Sequence, residues 1–193
     1  MQKIGFIRHG QTPWNKERRV QGHMDIPLSD DGVKQAHQLA NRIKDEMWDL
    51  VYASDLKRAK KTAEIIAKKS NLPLYLDHRL RERHWGEIEG TTREERADIF
   101  GDNWRELDLG MEPVEDMVER GRACLHEVIA KHPKENILIV SHGAFIKQLL
   151  LTLTKDMNAD ESLKNCSVTT LETNGENWHL TLHNCVRHMA ENV

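Results

Sequence analysis

The chain has 193 residues, a formal net charge of −3 and 38% hydrophobic residues. This length suffices for one domain with a sizeable core, and the acidic balance argues against a nucleic-acid binder, which carries a basic excess or stripe. Three cysteines without CxxC spacing argue against a disulfide framework. No segment resembles a signal peptide, and no apolar run reaches the roughly 20 residues that cross a bilayer. We therefore expect a cytoplasmic protein that does not contact membranes.

Predicted strands and helices alternate in the first part of the sequence. Residues 4–7 are apolar at successive positions, as expected for a strand of a sheet covered on both faces. Ser29 is a suitable N-cap for a helix whose apolar residues recur every three or four positions. Residues 49–54 predict a second strand, with Ser54 as the N-cap of a second helix, and residues 72–77 predict a third strand.

This alternation is interrupted between residues 84 and 111. The segment is charged, contains four glycines and shows no sustained hydrophobic period. We interpret residues 84–111 as an inserted lid or cap subdomain, with a short helix near residues 93–100.

The alternating pattern resumes after this segment. Residues 113–131 predict a helix, residues 136–142 an apolar strand, and the residues that follow directly another helix. Two late strands, residues 167–172 and 178–183, flank Asn174 and Gly175, a residue pair typical of a hairpin turn.

Together these elements predict an α/β fold. We expect a three-layer αβα sandwich with a mostly parallel sheet, an antiparallel edge and the small inserted subdomain. The sequence shows no internal repeat, low-complexity segment or linker. Residues 1–193 are therefore expected to form one domain.

Residues suited to catalysis follow four of the predicted strands. In open α/β sheets, ligands bind beyond the carboxyl ends of the strands, so these residues are expected to converge. They are Arg8 and His9, Arg58, Glu82, and His142. Arginine guanidinium groups match phosphate oxygens, and histidine is a competent nucleophile or acid/base near neutral pH. The set predicts phosphoryl transfer through a histidine.

Each of these residues also has an ordinary structural interpretation. An isolated His9 is more often a turn or core residue, and Arg58 lies among lysines as a solvated helix arginine would. Glu82 is adjacent to Arg83, and a neighbouring cation favours the ionised carboxylate and opposes an acid role. Asp77 or Glu87 would replace Glu82 if its side chain points away.

Five blocks of sequence, in order along nearly the whole chain, resemble the histidine phosphatase superfamily, the phosphoglycerate mutase-like proteins. The first is Arg8-His9-Gly10 with Thr12 and Asn15. The others are QGHMDIPLSDDGVKQA, SDLKRAKKTA, RERHWGEIEG and VSHGAFIKQLL, and the similarity extends to HNCVRH near the end. One such tripeptide is a weak signal, whereas five ordered blocks are a strong one.

The resemblance implies a role for each matched residue. His9 would accept the phosphoryl group and become phosphohistidine, and Glu82 would protonate the leaving alkoxide and then activate water. The phosphoryl oxygens would be held by a cationic pocket of Arg8, Arg58 and His142, with Asn15 as a neutral donor, and Gln21 and Gly22 would shape the first loop. No metal and no cofactor would be needed, because protein cations stabilise the transferring group.

Three activities remain open at this point. We favour a phosphatase for small phosphorylated metabolites, because the compact acidic 84–111 segment suits release of the phosphoryl group to water. A cofactor-dependent phosphoglycerate mutase and a non-catalytic phosphate-binding module are the alternatives. The sequence PVEDM at 113–117 departs from the pattern common in phosphatases of the family and leaves Glu115 and Asp116 without an assigned role. The substrate is not identified, and a homodimer through a sheet edge is left open.

Overall fold

The computed structural model describes residues 1–157, 161–175 and 177–189. Within these residues, one six-stranded sheet forms the central layer, with strand order β3-β2-β4-β1-β5-β6. The strands are β1 (Gln2–Arg8), β2 (Leu50–Ala53), β3 (Leu74–Leu76), β4 (Ile137–Ser141), β5 (Val168–Thr173) and β6 (Trp178–Cys185). β3, β2, β4 and β1 are parallel, and β5 and β6 add antiparallel pairs. The predicted mostly parallel sheet with an antiparallel edge is confirmed.

The helices of the described residues cover both faces of this sheet. They are α1 (Pro13–Lys16), α2 (Asp30–Ile43), α3 (Lys57–Ser70), α4 (Arg93–Phe100), α5 (Val114–Lys131) and α6 (Gly143–Leu153). Ser29 caps α2 as predicted, since its side chain accepts a hydrogen bond from the backbone N–H of Gly32. None of these helices combines the length and the apolar character that a membrane crossing requires.

Two hydrophobic cores lie on opposite faces of the sheet, because successive residues of a strand point to opposite sides. On β1, Ile4 and Phe6 join the core under α5 and α6, whereas Ile7 joins the core under α2 and α3. On β4, Ile139 likewise joins the core under α5 and α6, and Val140 joins the core under α2 and α3. The result is the predicted three-layer αβα sandwich.

The carboxyl ends of three adjacent strands lie side by side. In the parallel register, Arg8 at the end of β1 is opposite Ser141 of β4. Val140 of β4 is in turn opposite Ala53 of β2. The chain therefore leaves the sheet at one edge at all three positions, and this is the edge where ligands bind in open α/β sheets.

Two local predictions differ from the structure. Ser54 is not the N-cap of α3, which begins at Lys57 with Leu56 at the cap position and no side-chain capping bond. Ser54 is instead fully buried, and its hydroxyl contacts the ring of His142. The third strand is shorter than residues 72–77, because the chain after Leu76 turns into a 3-10 helix capped by the Asp77 side chain.

The 84–111 segment packs around a small apolar cluster of its own. Ile88, Trp104 and Leu109 are buried together, and Trp85 and Val20 pack against them. Helix α4 has no buried residue. An ion pair between Arg19 and Glu95 ties this segment to the loop after α1. That the segment acts as a lid stays a prediction.

The hairpin turn predicted at Asn174 and Gly175 lies partly outside the described residues, since Glu176 is not among them. The two strands that it joins pair antiparallel, and Gly175 has a φ of +98°.

Candidate active site

A cavity of about 210 Å³ opens at the carboxyl edge of the sheet. The residues lining it are Arg8, His9, Asn15, Arg19, Val20, Gln21, Gly22, Arg58, Glu82, Trp85 and Ala144. Seven of the eight predicted site residues are in this set. A larger groove of about 610 Å³ lies elsewhere, between α2 and α3, and is lined by side chains such as His37 and Lys61. Of these two cavities, the smaller one is the candidate site, because it lies at the carboxyl edge of the sheet and is lined by the predicted residues.

His9 is a buried residue whose ring is held in one orientation. Its Nδ1 lies 2.7 Å from the carbonyl oxygen of Gly10. A carbonyl only accepts, so Nδ1 carries the hydrogen and Nε2 keeps a lone pair. Burial holds the pKa of His9 well below its usual value, and the charges of Arg58 and Arg8 lower it further. The imidazole is therefore uncharged at neutral pH.

Gly10 is required at its position by the close approach of α2. A Cβ atom on Gly10 would lie 2.6 Å from the carbonyl oxygen of Gly32. The Gly10 N–H also donates to the hydroxyl of Thr62 on α3, at 3.1 Å. The residue after His9 is thus held against both helices of one layer.

Two arginines, Arg58 buried and Arg8 partly buried, place positive charge beside His9. The guanidinium of Arg58 is fully buried and donates to the carbonyl oxygens of Met24 and Gly22, at 2.8 and 2.7 Å. Arg8 donates to the carbonyl oxygen of Leu163 at 2.5 Å. Burial lowers the pKa of Arg58 to about 10 and also lowers that of Arg8. Within the described residues, the Nε groups of both arginines are buried without an acceptor, which suits them to bind an anion.

Glu82 presents its carboxylate at the beginning of helix α6. One oxygen accepts hydrogen bonds from the backbone N–H groups of Phe145 and Arg83, at 2.8 and 2.9 Å. The other accepts from the N–H of Ala144 at 3.1 Å. Anionic groups are favoured at helix N-termini, where backbone N–H groups lack partners within the helix.

The Arg83 side chain does not pair with this carboxylate. Its guanidinium donates to the carbonyl oxygen of Glu112 at 2.6 Å and stacks over the ring of Trp85. The two alternative acids are placed elsewhere, since Asp77 pairs with Arg79 and Glu87 is exposed outside the cavity. Of the three candidate carboxylates, Glu82 is the one that lines the cavity.

His142 lies directly behind His9, with ring centroids 5.2 Å apart. It is fully buried and is the predicted site residue absent from the cavity lining. Its Nε2 lies 2.9 Å from the hydroxyl of Ser54. Burial, together with Arg58 and His9, holds the pKa of His142 well below its usual value. The neutral form of the His142 ring is therefore favoured, and its place in a cationic pocket stays a prediction.

Asn15, Gln21 and Gly22 form one wall of the cavity. The Oδ1 of Asn15 accepts from the backbone N–H of Thr12 at 3.0 Å, which leaves its NH₂ group to donate. Gln21 accepts from the Thr12 hydroxyl. Gly22 has a φ of +49°, and a Cβ there would lie 1.9 Å from a carboxylate oxygen of Glu89. Glycine is required at this position by both its backbone angle and its neighbour.

Sequence reasoning did not identify three supporting residues. Ser54 contacts His142, Thr62 contacts the Gly10 backbone, and Asn165 donates to the carbonyl oxygen of His9 at 3.0 Å. Ser54 was recognisable in one respect, because it follows β2 as His9 follows β1. The other two lie inside a helix and in a late loop, where no local pattern marks them.

Comparison with known proteins links the chain to one superfamily. The family model described as histidine phosphatase superfamily (branch 1) matches residues 4–186. The chain is 35% identical to the phosphoglycerate mutase-like protein 4 of Arabidopsis thaliana over 98% of its length and 87% of that protein. It is 35% identical to the uncharacterized phosphatase PhoE of Bacillus subtilis, with 98% of each chain covered. A metal-independent phosphoserine phosphatase of Arabidopsis thaliana is 32% identical over 97% of this chain and 83% of its own length.

Solved structures show the same similarity. The structure of YhfR from Bacillus stearothermophilus matches with a TM-score of 0.87 and 32% identity, covering 97% of this chain and 99% of that one. A phosphoserine phosphatase from Entamoeba histolytica, solved in complex with 3-phosphoglyceric acid, matches with a TM-score of 0.82 and 30% identity. That match covers 97% of this chain and 99% of the other.

Proposed function

The chain belongs to the histidine phosphatase superfamily, and from this premise we propose that it hydrolyses small phosphomonoesters through a phosphohistidine formed on His9. Its enzyme class is that of the superfamily's phosphomonoesterases. The observation that carries the mechanism is the geometry of His9. A buried, neutral ring with its hydrogen on Nδ1 directs the lone pair of Nε2 at an incoming phosphorus atom.

The reaction has two steps. In the first, Nε2 of His9 forms a bond to phosphorus while the bond from phosphorus to the ester oxygen breaks, and Glu82 gives its proton to that oxygen. In the second, Glu82 takes a proton from water as the water oxygen attacks phosphorus, and the bond to Nε2 breaks. Inorganic phosphate leaves, His9 regains its lone pair and Glu82 is again protonated.

Protein groups supply the charge that the transferring phosphoryl group needs. Arg8 and Arg58 offer buried N–H donors beside His9, and Asn15 adds a neutral donor. We assign the Nδ1 of His142 the same function, because it is a buried nitrogen without a partner in the described part of the chain. Preorganised donors of this kind stabilise charge that develops in the transition state.

The proposed reaction does not use a metal ion. Among the described residues, no group of three histidine, cysteine or carboxylate side chains is arranged to hold one. A relative of 32% identity is named a metal-independent phosphoserine phosphatase.

The cavity fits a small alcohol portion. Beyond the polar groups, Val20, Trp85 and Ala144 also line the cavity, whose volume is about 210 Å³. The solved relative with 3-phosphoglyceric acid supports a small phosphorylated metabolite as substrate.

Labelling of the enzyme tests the proposal. The wild-type protein, mixed with ³²P-labelled substrate and a chelator and quenched in alkali, is expected to carry an acid-labile phosphoryl group. His9→Ala is expected to lose both the label and turnover, while His37→Ala, at an exposed position on α2, keeps both. Turnover retained by His9→Ala would contradict the mechanism. A protein that binds phosphate but never turns over would be a binding module.

A phosphoglycerate mutase remains the second candidate, because a relative of 35% identity is named phosphoglycerate mutase-like. Phosphohistidine can pass its phosphoryl group to water or to a second hydroxyl. Measuring phosphate release and interconversion of 2- and 3-phosphoglycerate in the same samples separates the two outcomes. Interconversion much faster than release would identify a mutase.

A further inference from the structure

Arg120, on helix α5, donates hydrogen bonds to the backbone of the segment that carries Glu82. Its Nη1 donates to the carbonyl oxygens of Arg79 and Arg81, at 2.7 and 2.8 Å, and its Nη2 donates to that of Glu82 at 2.9 Å. The remaining N–H groups bind the carboxylate of Glu112, at 2.7 and 2.9 Å. All five donors of the guanidinium thus have acceptors.

The same arginine also packs against Phe145, the residue whose backbone N–H binds the Glu82 side chain. Its guanidinium carbon lies 5.2 Å from the ring centre of Phe145, whose backbone N–H holds one carboxylate oxygen of Glu82. His23 adds a second donor to the Glu82 carbonyl, at 2.8 Å. Arg120 therefore fixes the backbone of Glu82 and packs on the helix turn that orients its side chain.

We propose that Arg120 is a positioning residue that sets the location of the Glu82 carboxyl group for proton transfer to the leaving oxygen. Arg120 is not among the residues that line the cavity, so it acts through Glu82 and not on the substrate. The inference rests on the proposed function, in which Glu82 is the general acid.

Arginine suits this task for a geometric reason. The guanidinium is a planar fork with donors at fixed angles, and here one edge binds Glu112 while the other N–H groups reach three backbone carbonyl oxygens, those of Arg79, Arg81 and Glu82. Lysine keeps the charge but has only three donors on one nitrogen and cannot span these acceptors. Proton transfer requires heavy atoms about 2.6–3.2 Å apart, so a small displacement of the carboxyl group impairs it.

A purely structural role makes a different prediction. If Arg120 only joins α5 to the loop before Glu82, its replacement lowers stability and reduces activity toward every substrate by a similar factor. If it positions the acid, the loss is greatest for esters whose leaving group needs a proton. The ratio of the kcat/KM values for two esters reports phosphoenzyme formation, the step in which Glu82 acts as acid, and does not depend on the fraction of protein that is folded. A destabilised variant therefore still distinguishes these outcomes.

The experiment compares an alkyl phosphate with p-nitrophenyl phosphate. In Arg120→Lys we expect kcat/KM for the alkyl ester to fall by about 10-fold or more, and kcat/KM for the nitrophenyl ester by less than about 3-fold, within the range of general acid catalysis. Arg122→Lys, at an exposed position on the same helix, is the matched control and should leave both values unchanged. Equal losses for the two esters in Arg120→Lys would overturn the inference.

Glu82→Gln separates the inference from the function on which it rests. Glu82→Gln alone should show the same preference for the nitrophenyl ester, and a loss without that preference would reject Glu82 as the acid. Given that preference, Arg120→Lys should have little further effect on the alkyl ester when added to Glu82→Gln, because the group it positions is gone. Full additivity of the two substitutions would show that Arg120 acts independently of Glu82 and would refute the inference.

Discussion

Replacing Arg58 with methionine removes the most deeply buried cation of the cavity while keeping a side chain of similar length. The native arginine has opposing effects on stability. Burial lowers its pKa to about 10, which corresponds to about 3 kcal/mol of unfavourable charge burial at about 1.4 kcal/mol per pKa unit. That unfavourable contribution disappears in Arg58→Met.

Methionine also removes two hydrogen bonds. The carbonyl oxygens of Gly22 and Met24 lose their donors, and an unsatisfied buried acceptor costs about 1–3 kcal/mol. The gain and the loss largely offset each other. We therefore expect the free energy of unfolding, measured with urea, to fall by no more than about 3 kcal/mol.

Catalysis should respond far more strongly than stability. A guanidinium that contributes two charge-assisted hydrogen bonds to a phosphoryl group is worth about 3–6 kcal/mol, at about 1.5–3 kcal/mol each. This predicts a fall in kcat/KM of about 10²-fold to 10⁴-fold with p-nitrophenyl phosphate. Inorganic phosphate should raise the melting temperature of the wild-type protein and not that of Arg58→Met.

Lys61→Met, at an exposed position on the same helix, is the control and should retain wild-type kcat/KM. A value of kcat/KM for Arg58→Met within about 10-fold of wild type would refute the role of Arg58 in holding the phosphoryl group. A collapse of stability without any change in phosphate binding would show that the residue is structural.

Two further predictions concern pH and the loop at Gly22. His9 and His142 have pKa values well below the ordinary 6.5 in the folded protein, so their contribution to stability is complete above pH 6.5 and is lost as the pH falls toward the folded-state values. The free energy of unfolding, measured with urea, should be lower at about pH 5.5 than at about pH 7.5. This pH difference should be smaller in His9→Ala, and an equal difference in both proteins would contradict the prediction. Gly22→Ala should lower both the melting temperature and kcat/KM, because its Cβ would meet Glu89 at 1.9 Å. Gly101→Ala, where φ is also positive but nothing lies near the Cβ position, should leave kcat/KM unchanged, and a fully active Gly22→Ala would show that the loop adapts.

The layers of the fold were predictable because their causes are local in sequence. The apolar spacing and the Ser29 cap of α2 each depend on residues a few positions apart. The same is true of the alternation on β1 and β4, which assigns side chains to the two cores. The position of the cavity was predictable from one further rule, that the carboxyl ends of parallel strands lie at the same edge of a sheet and that ligands bind there.

Other features depend on contacts between distant segments, and no local pattern reports them. Ser54 looked like a helix cap, yet its hydroxyl contacts a ring 88 residues away. Arg120 had no distinguishing neighbour in sequence, and its backbone acceptors lie 38 to 41 residues earlier in the chain. Arg83 raised an objection to Glu82, and only the structure shows that its side chain points away from that carboxylate.

The position of β1 in the sheet also affects the order in which the protein is completed during synthesis. β1 lies between β4 and β5, so Ile4 pairs with Ile137 on one side and with Leu171 on the other. A ribosome releases the N-terminal strand first, but both of its partners emerge only after most of the chain has been made. The closure of such long loops is an entropic cost that slows folding. His9 therefore reaches its place beside His142 only when β4, which His142 directly follows, has paired with β1.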